Sequence, residues 1–385
     1  MAKKSTADGE YRISLTGPNS HRLVLEPGVG SLSIGPGKAG LVVEPGVPIQ
    51  WTALDQFATP AGSAWPRWLT YTGDDVGIFE WARKRAIEGL DWIPTRALEV
   101  DASAARIFNL TITLRGHALR MRMPEAVSSL SLGGDVALLE ASGAMPESVT
   151  LAPKTSRRGD GAARLPDLGA FAGVTDLGIH NEPMHRPVSL LGLEKLGALE
   201  SLALHGAIAD LETVASLPKL ASLALRFMPS LEGLPPLSAL PGLDSIIVYN
   251  VDDQASRSMR QQLKDRARVR PWSGHASVSQ PRKPEWFASE YGRPFSGWPG
   301  RRAKIANTAF DEAQATLAKA RTAKAIEAAI VAFARTFNTM KGIETTERED
   351  LADAVVQLID GAKGARAAAV TEEMALGWFD GARDY

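Results

Sequence analysis

Cysteine is absent from this chain of 385 residues. Its absence excludes disulfide bonds, thiolate metal sites, iron–sulfur clusters and a cysteine nucleophile. An excess of one charge sign is also lacking: the formal net charge is −1, so the whole chain gives no electrostatic reason to bind nucleic acid or an anionic membrane. No run of about 18 apolar residues occurs, and the N-terminal MAKKSTADGE lacks the apolar stretch of a signal peptide. We therefore expect a cytoplasmic protein that does not span a membrane.

Motifs for cofactors and catalysis are missing as well. The segment GPGKAG lacks the first glycine of a phosphate-binding loop, because Leu32 stands at that position. No GxGxxG lies in a βαβ context, and GxSxG is absent. HNEPMH, which contains His180 and His185, matches no zinc signature. The acidic segment ETTERED is explained by the dipole of a helix that starts there. The sequence thus predicts no cofactor and no metal, and an enzyme is the less favoured interpretation.

Short apolar pairs recur through the first quarter of the chain. In residues 1–50, pairs such as Ile13/Leu15 alternate with Pro-Gly turns, which predicts a β-rich N-terminal region. Residues 51–98 hold five of the nine tryptophans, and the stretch DDVGIFEWARKRAIEGL has a helical pattern. We expect a Trp-rich, helical or mixed segment whose rings form a core.

Four segments between residues 174 and 248 share the pattern Φ-x-x-Φ-x-Φ, where Φ is apolar. Their last apolar residues are Ile179, Leu204, Leu225 and Val248, at intervals of 25, 21 and 23 residues. Leucine-rich repeats have periods of about 20 to 29 residues. Apolar residues at every third position upstream favour 3₁₀-like turns, and weaker units precede these four. The sequence therefore predicts an α/β fold with a leucine-rich-repeat solenoid over residues 99–272.

The repeats depart from the usual pattern at one position. That pattern has Asn or Cys three residues after the last strand leucine, whereas this chain has Glu182, Ala207, Met228 and Val251. We therefore expect no asparagine ladder along the turns.

The C-terminal part changes character. The stretch DDQASRSMRQQLKDRARVRPW predicts a basic helix that closes the solenoid, which needs a cap over its last leucine layer. Residues 273–300 form an aromatic, basic linker, and residues 301–385 predict a helical module. One of its helices has a stripe at helical spacing that includes Ile326 and Phe333, and Thr346 with Glu349 predicts a capping box before another.

Three segments of this part carry a resemblance. RKPEWFASEYGRPFSGWPGRR, FNTMKGIETTERED and ALGWFDGARDY resemble the C-terminal module of bacterial leucine-rich-repeat proteins of uncharacterised function. The resemblance covers the C-terminal half of the chain, from the repeats onward. It implies the domain layout given above, and no catalytic residue is carried over from it.

Alternation along the predicted strands indicates a binding surface. The leucines point inward, so the residues between and after them point to the concave face. One polar row comprises His180, His205, Arg226 and Tyr249, and a second comprises Asp176, Ser201, Ser222 and Ser245. Arg and Tyr are frequent at positions where interfaces gain their energy. An uninvolved solvated face is the alternative interpretation.

The favoured function is a protein-binding scaffold that recognises a partner protein through the concave face, with an immunity or adaptor role as one form of it. One alternative is an enzyme with a site between the solenoid and the helical module. The other is nucleic-acid binding through a basic, aromatic neck. This neck, residues 251–304, contains 12 Lys or Arg against 5 Asp or Glu, with aromatic residues between them. A capping helix and aromatic packing explain the same composition structurally.

Overall fold

Strands dominate the first three quarters of the chain and helices the last quarter. The computed structural model describes residues 4–5, 9–26, 28–156, 161–289, 293–295 and 298–385. The chain divides into two compact units, Met1–Pro284 and Glu285–Tyr385. The sequence predicts five segments, a finer division than these two units, and their boundaries stay a prediction.

The first unit contains short strands separated by turns and 3₁₀ segments. Up to residue 101 they are β1 (Lys4–Ser5), β2 (Gly9–Ile13), β3 (His21–Leu25), β4 (Ser31–Gly35), β5 (Leu41–Val42), β6 (Phe57–Ala58), β7 (Trp68–Thr72), β8 (Ile87–Ile93) and β9 (Leu98–Asp101). From residue 107 they are β10 (Ile107–Leu114), β11 (Leu119–Arg122), β12 (Ser129–Gly134), β13 (Leu139–Ser142), β14 (Ser148–Pro153), β15 (Asp176–His180), β16 (Val188–Ser189), β17 (Ser201–His205), β18 (Ile208–Ala209), β19 (Ser222–Arg226), β20 (Ser245–Tyr249) and β21 (Ala276–Ser279).

Twelve of these strands form one long, open sheet in which each strand pairs in parallel with the next. Its order is β5-β4-β7-β8-β10-β12-β14-β15-β17-β19-β20-β21. β2 and β3 form an antiparallel hairpin, whereas β9, β11 and β13 make a smaller parallel sheet. The long sheet thus begins at residue 31 and ends at residue 279, and extends on both sides beyond the region in which repeats were predicted.

The register places apolar residues of successive strands side by side. Leu177 lies opposite Leu202, and Leu202 lies opposite Leu223. The same inward row continues at Ile246, and all four side chains are at most 3% exposed. Because strand residues alternate between two faces, this register puts every intervening polar residue on the opposite face of the sheet.

Turns on the far side of each strand complete the core of the first unit. Leu193–Lys195 and Leu211–Ser216 form 3₁₀ helices, as the three-residue spacing predicts. Leu190, Leu196 and Leu199 are fully buried with them. These leucines pack against the inward face of the sheet in one continuous cluster.

The Trp-rich segment is mixed, but its helix is shorter than the sequence pattern predicts. Helix α1 spans Gly77–Lys84, and the chain then enters strand β8. Val76 holds the N-cap position, and Asp75 before it accepts a hydrogen bond from Gly77 N at 2.8 Å. Trp51, Trp65, Trp81 and Trp92 are buried, while Trp68 is 42% exposed.

Helix α2 (Asp253–Val269) follows the strand β20. Asp252 caps it by accepting from Gln254 N and Ala255 N. Met259 is buried on its inner face, as expected for a helix that covers an apolar layer.

The second unit is helical. Helix α3 (Pro284–Ser289) spans the division between the units, and α4 (Gly300–Lys319), α5 (Ala323–Thr336), α6 (Thr345–Gly361), α7 (Lys363–Ala367) and α8 (Glu372–Ala382) follow. The predicted stripe on α5 is confirmed, because Ile326, Ile330 and Phe333 are at most 2% exposed. The predicted capping box is wrong: α6 starts at Thr345, so Thr346 lies inside its first turn, and the Glu347 carboxylate accepts from Glu344 N at 3.2 Å.

None of the helices in the described part of the chain combines the length and the apolar character needed to cross a membrane.

Candidate partner-binding site

The structure places the four residues of the first predicted row on adjacent strands. His180 lies opposite His205, His205 opposite Arg226, and Arg226 opposite Tyr249. All four stand at the carboxyl ends of their strands, and none is buried. We call them the carboxyl-end row. At about 4.8 Å between parallel strands, the row spans roughly 14 Å.

The second predicted row lies at the start of the same four strands. Asp176, Ser201, Ser222 and Ser245 are aligned in the same register. Ser245 donates from Oγ to His275 O at 2.9 Å, and Thr175 donates to the carboxylate of Asp176 at 3.1 Å. Four residues separate the two rows along each strand, a distance of about 13 Å. The two rows therefore form opposite margins of one face.

Small side chains lie between the two rows on three of the four strands. Gly178, Ala203 and Ala224 occupy the middle position, and Ile247 occupies it on the last strand. The floor between the rows is consequently shallow over β15, β17 and β19. A partner segment can approach the backbone there more closely than it could over large side chains.

Aromatic rings continue along the carboxyl-end row and include one residue that the sequence analysis missed. The rings of His180 and His205 stack with centroids 5.5 Å apart, and Phe227 lies 4.8 Å from His205 and 5.6 Å from Tyr249. Phe227 follows the end of β19 and has a φ of 53°. This left-handed conformation is costly for a bulky side chain, and such strain is concentrated at functional positions. Strand periodicity gives no signal for a residue outside the strand.

A buried asparagine, Asn181, organises the turn after His180. It lies one position before Glu182, where the repeat pattern would have an asparagine. Asn181 donates from Nδ2 to Arg186 O at 3.0 Å and to Ala207 O at 2.7 Å. Asn250 occupies the same position after β20 and is also buried. Gly206 and Phe227 hold this position after the two strands between them, so the two asparagines are single contributions to the turns and not a continuous ladder.

The orientation of Asn181 fixes the hydrogen bonds of its neighbours. Because Nδ2 donates to two carbonyls, Oδ1 must accept, and Thr155 donates to it at 2.6 Å. The Thr155 hydroxyl has then used its only proton, so it accepts from His185 Nδ1 at 3.0 Å. His205 likewise donates from Nδ1 to Asn181 O at 3.2 Å, since a carbonyl oxygen only accepts. In both imidazoles Nδ1 is therefore the nitrogen that donates.

An open cleft of about 330 Å³ lies at this end of the strands. Burial, and secondly the nearby His205, lower the pKa of His180. Among the described residues, no three histidine, aspartate or glutamate side chains are grouped so that they could hold a metal ion. Among the described residues, the polar ones that line the cleft are Lys154, Thr155, His180, Asn181, Glu182, His185 and His205.

The basic residues after β20 make intramolecular contacts. Arg266 donates to Leu243 O at 2.8 Å, and its guanidinium lies 4.6 Å from the centre of the Trp272 ring. Arg270 donates to Pro241 O at 2.7 Å and also pairs with Asp244. These contacts fix α2 and the segment after it to the preceding turn. In the neck, Tyr291 lies outside the described residues.

The acidic segment at the start of α6 is also engaged within its own unit. Glu347 pairs with Arg302 at 3.5 Å, and Asp350 accepts from Trp298 Nε1 at 2.8 Å. Each of these carboxylates therefore has a structural partner in the second unit.

No protein-family profile, curated protein or solved structure matches this chain.

Proposed function

We propose that this chain is a leucine-rich-repeat solenoid protein that binds a partner protein through the open face of its long sheet. The contact would centre on the carboxyl-end row. The single observation that carries the proposal is the alignment of His180, His205, Arg226 and Tyr249 on four adjacent strands, with none of them buried.

The spacing of the strands supports the repeat architecture. Leu90, Leu110 and Leu130 lie in register on neighbouring strands and are twenty residues apart. Each such unit has an inward leucine row on one side and a turn or 3₁₀ segment on the other, the arrangement expected when short repeats stack and bury a common core. The buried Asn181 joins successive units by donating to Ala207 O.

The composition of the row supports protein binding. Arginine and tyrosine dominate the energetic centres of protein interfaces, and stable interfaces bury about 800 Å² on each partner. A rigid parallel sheet also holds these side chains in place before the partner arrives, which lowers the entropic cost of association. The permanent charge of Arg226 and the hydroxyl of Tyr249 can form directional contacts beside the shallow floor.

The test is capture of the partner by the full-length chain from its native host, followed by mass spectrometry. We expect the double variant Arg226→Ala/Tyr249→Ala to lose the captured partner without a change in Tm, because both side chains are at least partly exposed. The matched control is Leu191→Ala/Lys219→Ala, which changes two exposed residues of the turns rather than of the sheet face. Equal recovery with both double variants would remove the sheet face as the binding surface.

A further inference from the structure

We propose that the cleft beside His180 binds the carboxylates of an acidic, extended segment of the partner protein. This inference rests on the proposed function and gives the partner a chemistry. It is carried by the charges that line the cleft and by the size and position of the cleft.

Positive and ionisable groups outnumber the acidic group in the cleft. Of the residues that the structure describes, Lys154 and three imidazoles line it, against the single carboxylate of Glu182. Arg226 is next to His205 in the carboxyl-end row. In the ranges that the structure describes, neither Lys154 nor Arg226 forms an ion pair, and both are exposed. A carboxylate that enters the cleft can therefore bind cations that have no acidic partner.

The positions of Lys154 and Arg226 on the sheet fit an extended peptide. Lys154 follows β14, and Arg226 ends β19, so two strands, β15 and β17, lie between them. Measured across the sheet, the three strand spacings amount to about 14 Å, which corresponds to four residues of an extended peptide that advances about 3.3 Å per residue. Alternate side chains of such a peptide face the same side. Acidic residues at alternate positions can therefore contact Lys154, the histidine pair and Arg226 in turn.

Imidazole protonation couples the cleft to pH. The ionisable groups that line the cleft together with His180 come from three places. Lys154 follows β14, Glu182 and His185 lie in the turn after β15, and His205 ends β17. When the imidazoles are neutral, the positive charge of Lys154 and the negative charge of Glu182 cancel. Each proton that an imidazole takes up then adds one positive charge to the cleft. A bound carboxylate favours the protonated form of His180, so binding draws a proton onto this ring and strengthens as the pH falls.

The ring geometry favours an acidic peptide over a single-stranded nucleic acid. Nucleic-acid sites of this kind offer aromatic faces on which bases stack. Here His180 and His205 stack on each other with an interplanar angle of 17°, and the Phe227 ring lies 4.8 Å from that of His205. The space between these rings is too small for a base.

Fluorescence anisotropy of the full-length chain with a labelled Glu-Gly-Glu-Gly-Glu peptide tests the inference. We expect tighter binding at pH 6 than at pH 8, by up to about tenfold for each pH unit over which one proton is taken up. Lys154→Gln and His180→Asn should each weaken the binding at pH 6. The matched controls Lys219→Gln and His117→Asn, which change exposed residues outside the cleft, should not.

The possible outcomes separate this inference from the proposed function. Equal binding of the Gln-Gly-Gln-Gly-Gln peptide, or affinity that does not change with pH, overturns the acidic-ligand inference. The same holds if the peptides fail to bind while partner capture still depends on Arg226 and Tyr249, and the proposed function then stands. Binding of an oligothymidylate that is lost with Lys154→Gln favours nucleic acid instead. If neither peptide binding nor capture responds to any of these variants, both proposals fail.

Discussion

Replacement of Gly206 by alanine should destabilise the first unit, because two neighbouring turns meet at this residue. Gly206 has a φ of 85°, and a Cβ built on it would lie 1.8 Å from Asn181 O. That oxygen belongs to the turn after β15 and accepts the hydrogen bond from His205. The added methyl group would therefore force the two turns apart and disturb the carboxyl-end row.

Two contributions determine how far Gly206→Ala lowers the free energy of unfolding. The left-handed conformation costs an L-residue about 1–2 kcal/mol relative to glycine. A backbone shift that relieves a contact of this kind costs about a further 1–3 kcal/mol. We therefore expect Gly206→Ala to lower the free energy of unfolding by about 2–5 kcal/mol, near the upper end for single substitutions.

Gly116→Ala provides the matched control for this prediction. Gly116 has a φ of 74°, but a Cβ built there would have no heavy atom within 4 Å. Gly116→Ala should therefore lower the free energy of unfolding by only about 1–2 kcal/mol, the cost of the left-handed conformation. Urea unfolding followed by tryptophan fluorescence and far-UV circular dichroism measures both variants, with the transitions of the two units fitted separately. If Gly206→Ala is no more destabilising than Gly116→Ala, the turns are not packed as described.

Three further predictions concern stability. Leu223→Ala should lower the free energy of unfolding by about 2–5 kcal/mol in urea titrations, because it leaves a cavity in the inward row, whereas the exposed Leu191→Ala should have little effect. Asn181→Ala should cost about 2–4 kcal/mol in the same assay, since it leaves Thr155 and buried turn carbonyls with fewer partners. His180→Asn should make the Tm less sensitive to acid: the lowered pKa means that the folded protein holds the His180 proton less tightly than the unfolded chain, so the wild type loses stability as the pH falls through 6.5 and below. Equal losses of Tm between pH 7.5 and 5.5 in both proteins would contradict this.

The sequence was sufficient to place the carboxyl-end row because strand alternation is strict. Once Leu177, Leu202, Leu223 and Ile246 are aligned, every other residue of the four strands has only one face available. The same alignment failed to reveal how far the sheet extends toward the N-terminus. There Tyr71 and Trp92 occupy inward positions that aliphatic residues hold elsewhere, and the interval between Leu32 and Leu69 is far longer than the predicted period.

Residues outside the strands were harder to predict. Lys154 and Phe227 contribute to the site from turns, where no periodicity relates one position to the next. Asn181 was missed for a related reason, since it lies in the turn after β15, one residue before the position at which the sequence pattern predicts an asparagine. The capping box of α6 failed similarly, because the helix begins one residue before the threonine that was taken as its cap. In each case local backbone geometry, rather than composition, decides the role of the residue.

Hydrogen exchange of the full-length chain, with and without its purified partner, tests the central claim most directly. Binding through the carboxyl-end row should slow exchange of backbone amides in 176–182, 201–207, 222–228 and 245–250, because the partner would cover these strand ends and turns. Protection confined to the helices of the second unit, with these segments unchanged, would contradict the proposal that the sheet face is the binding surface.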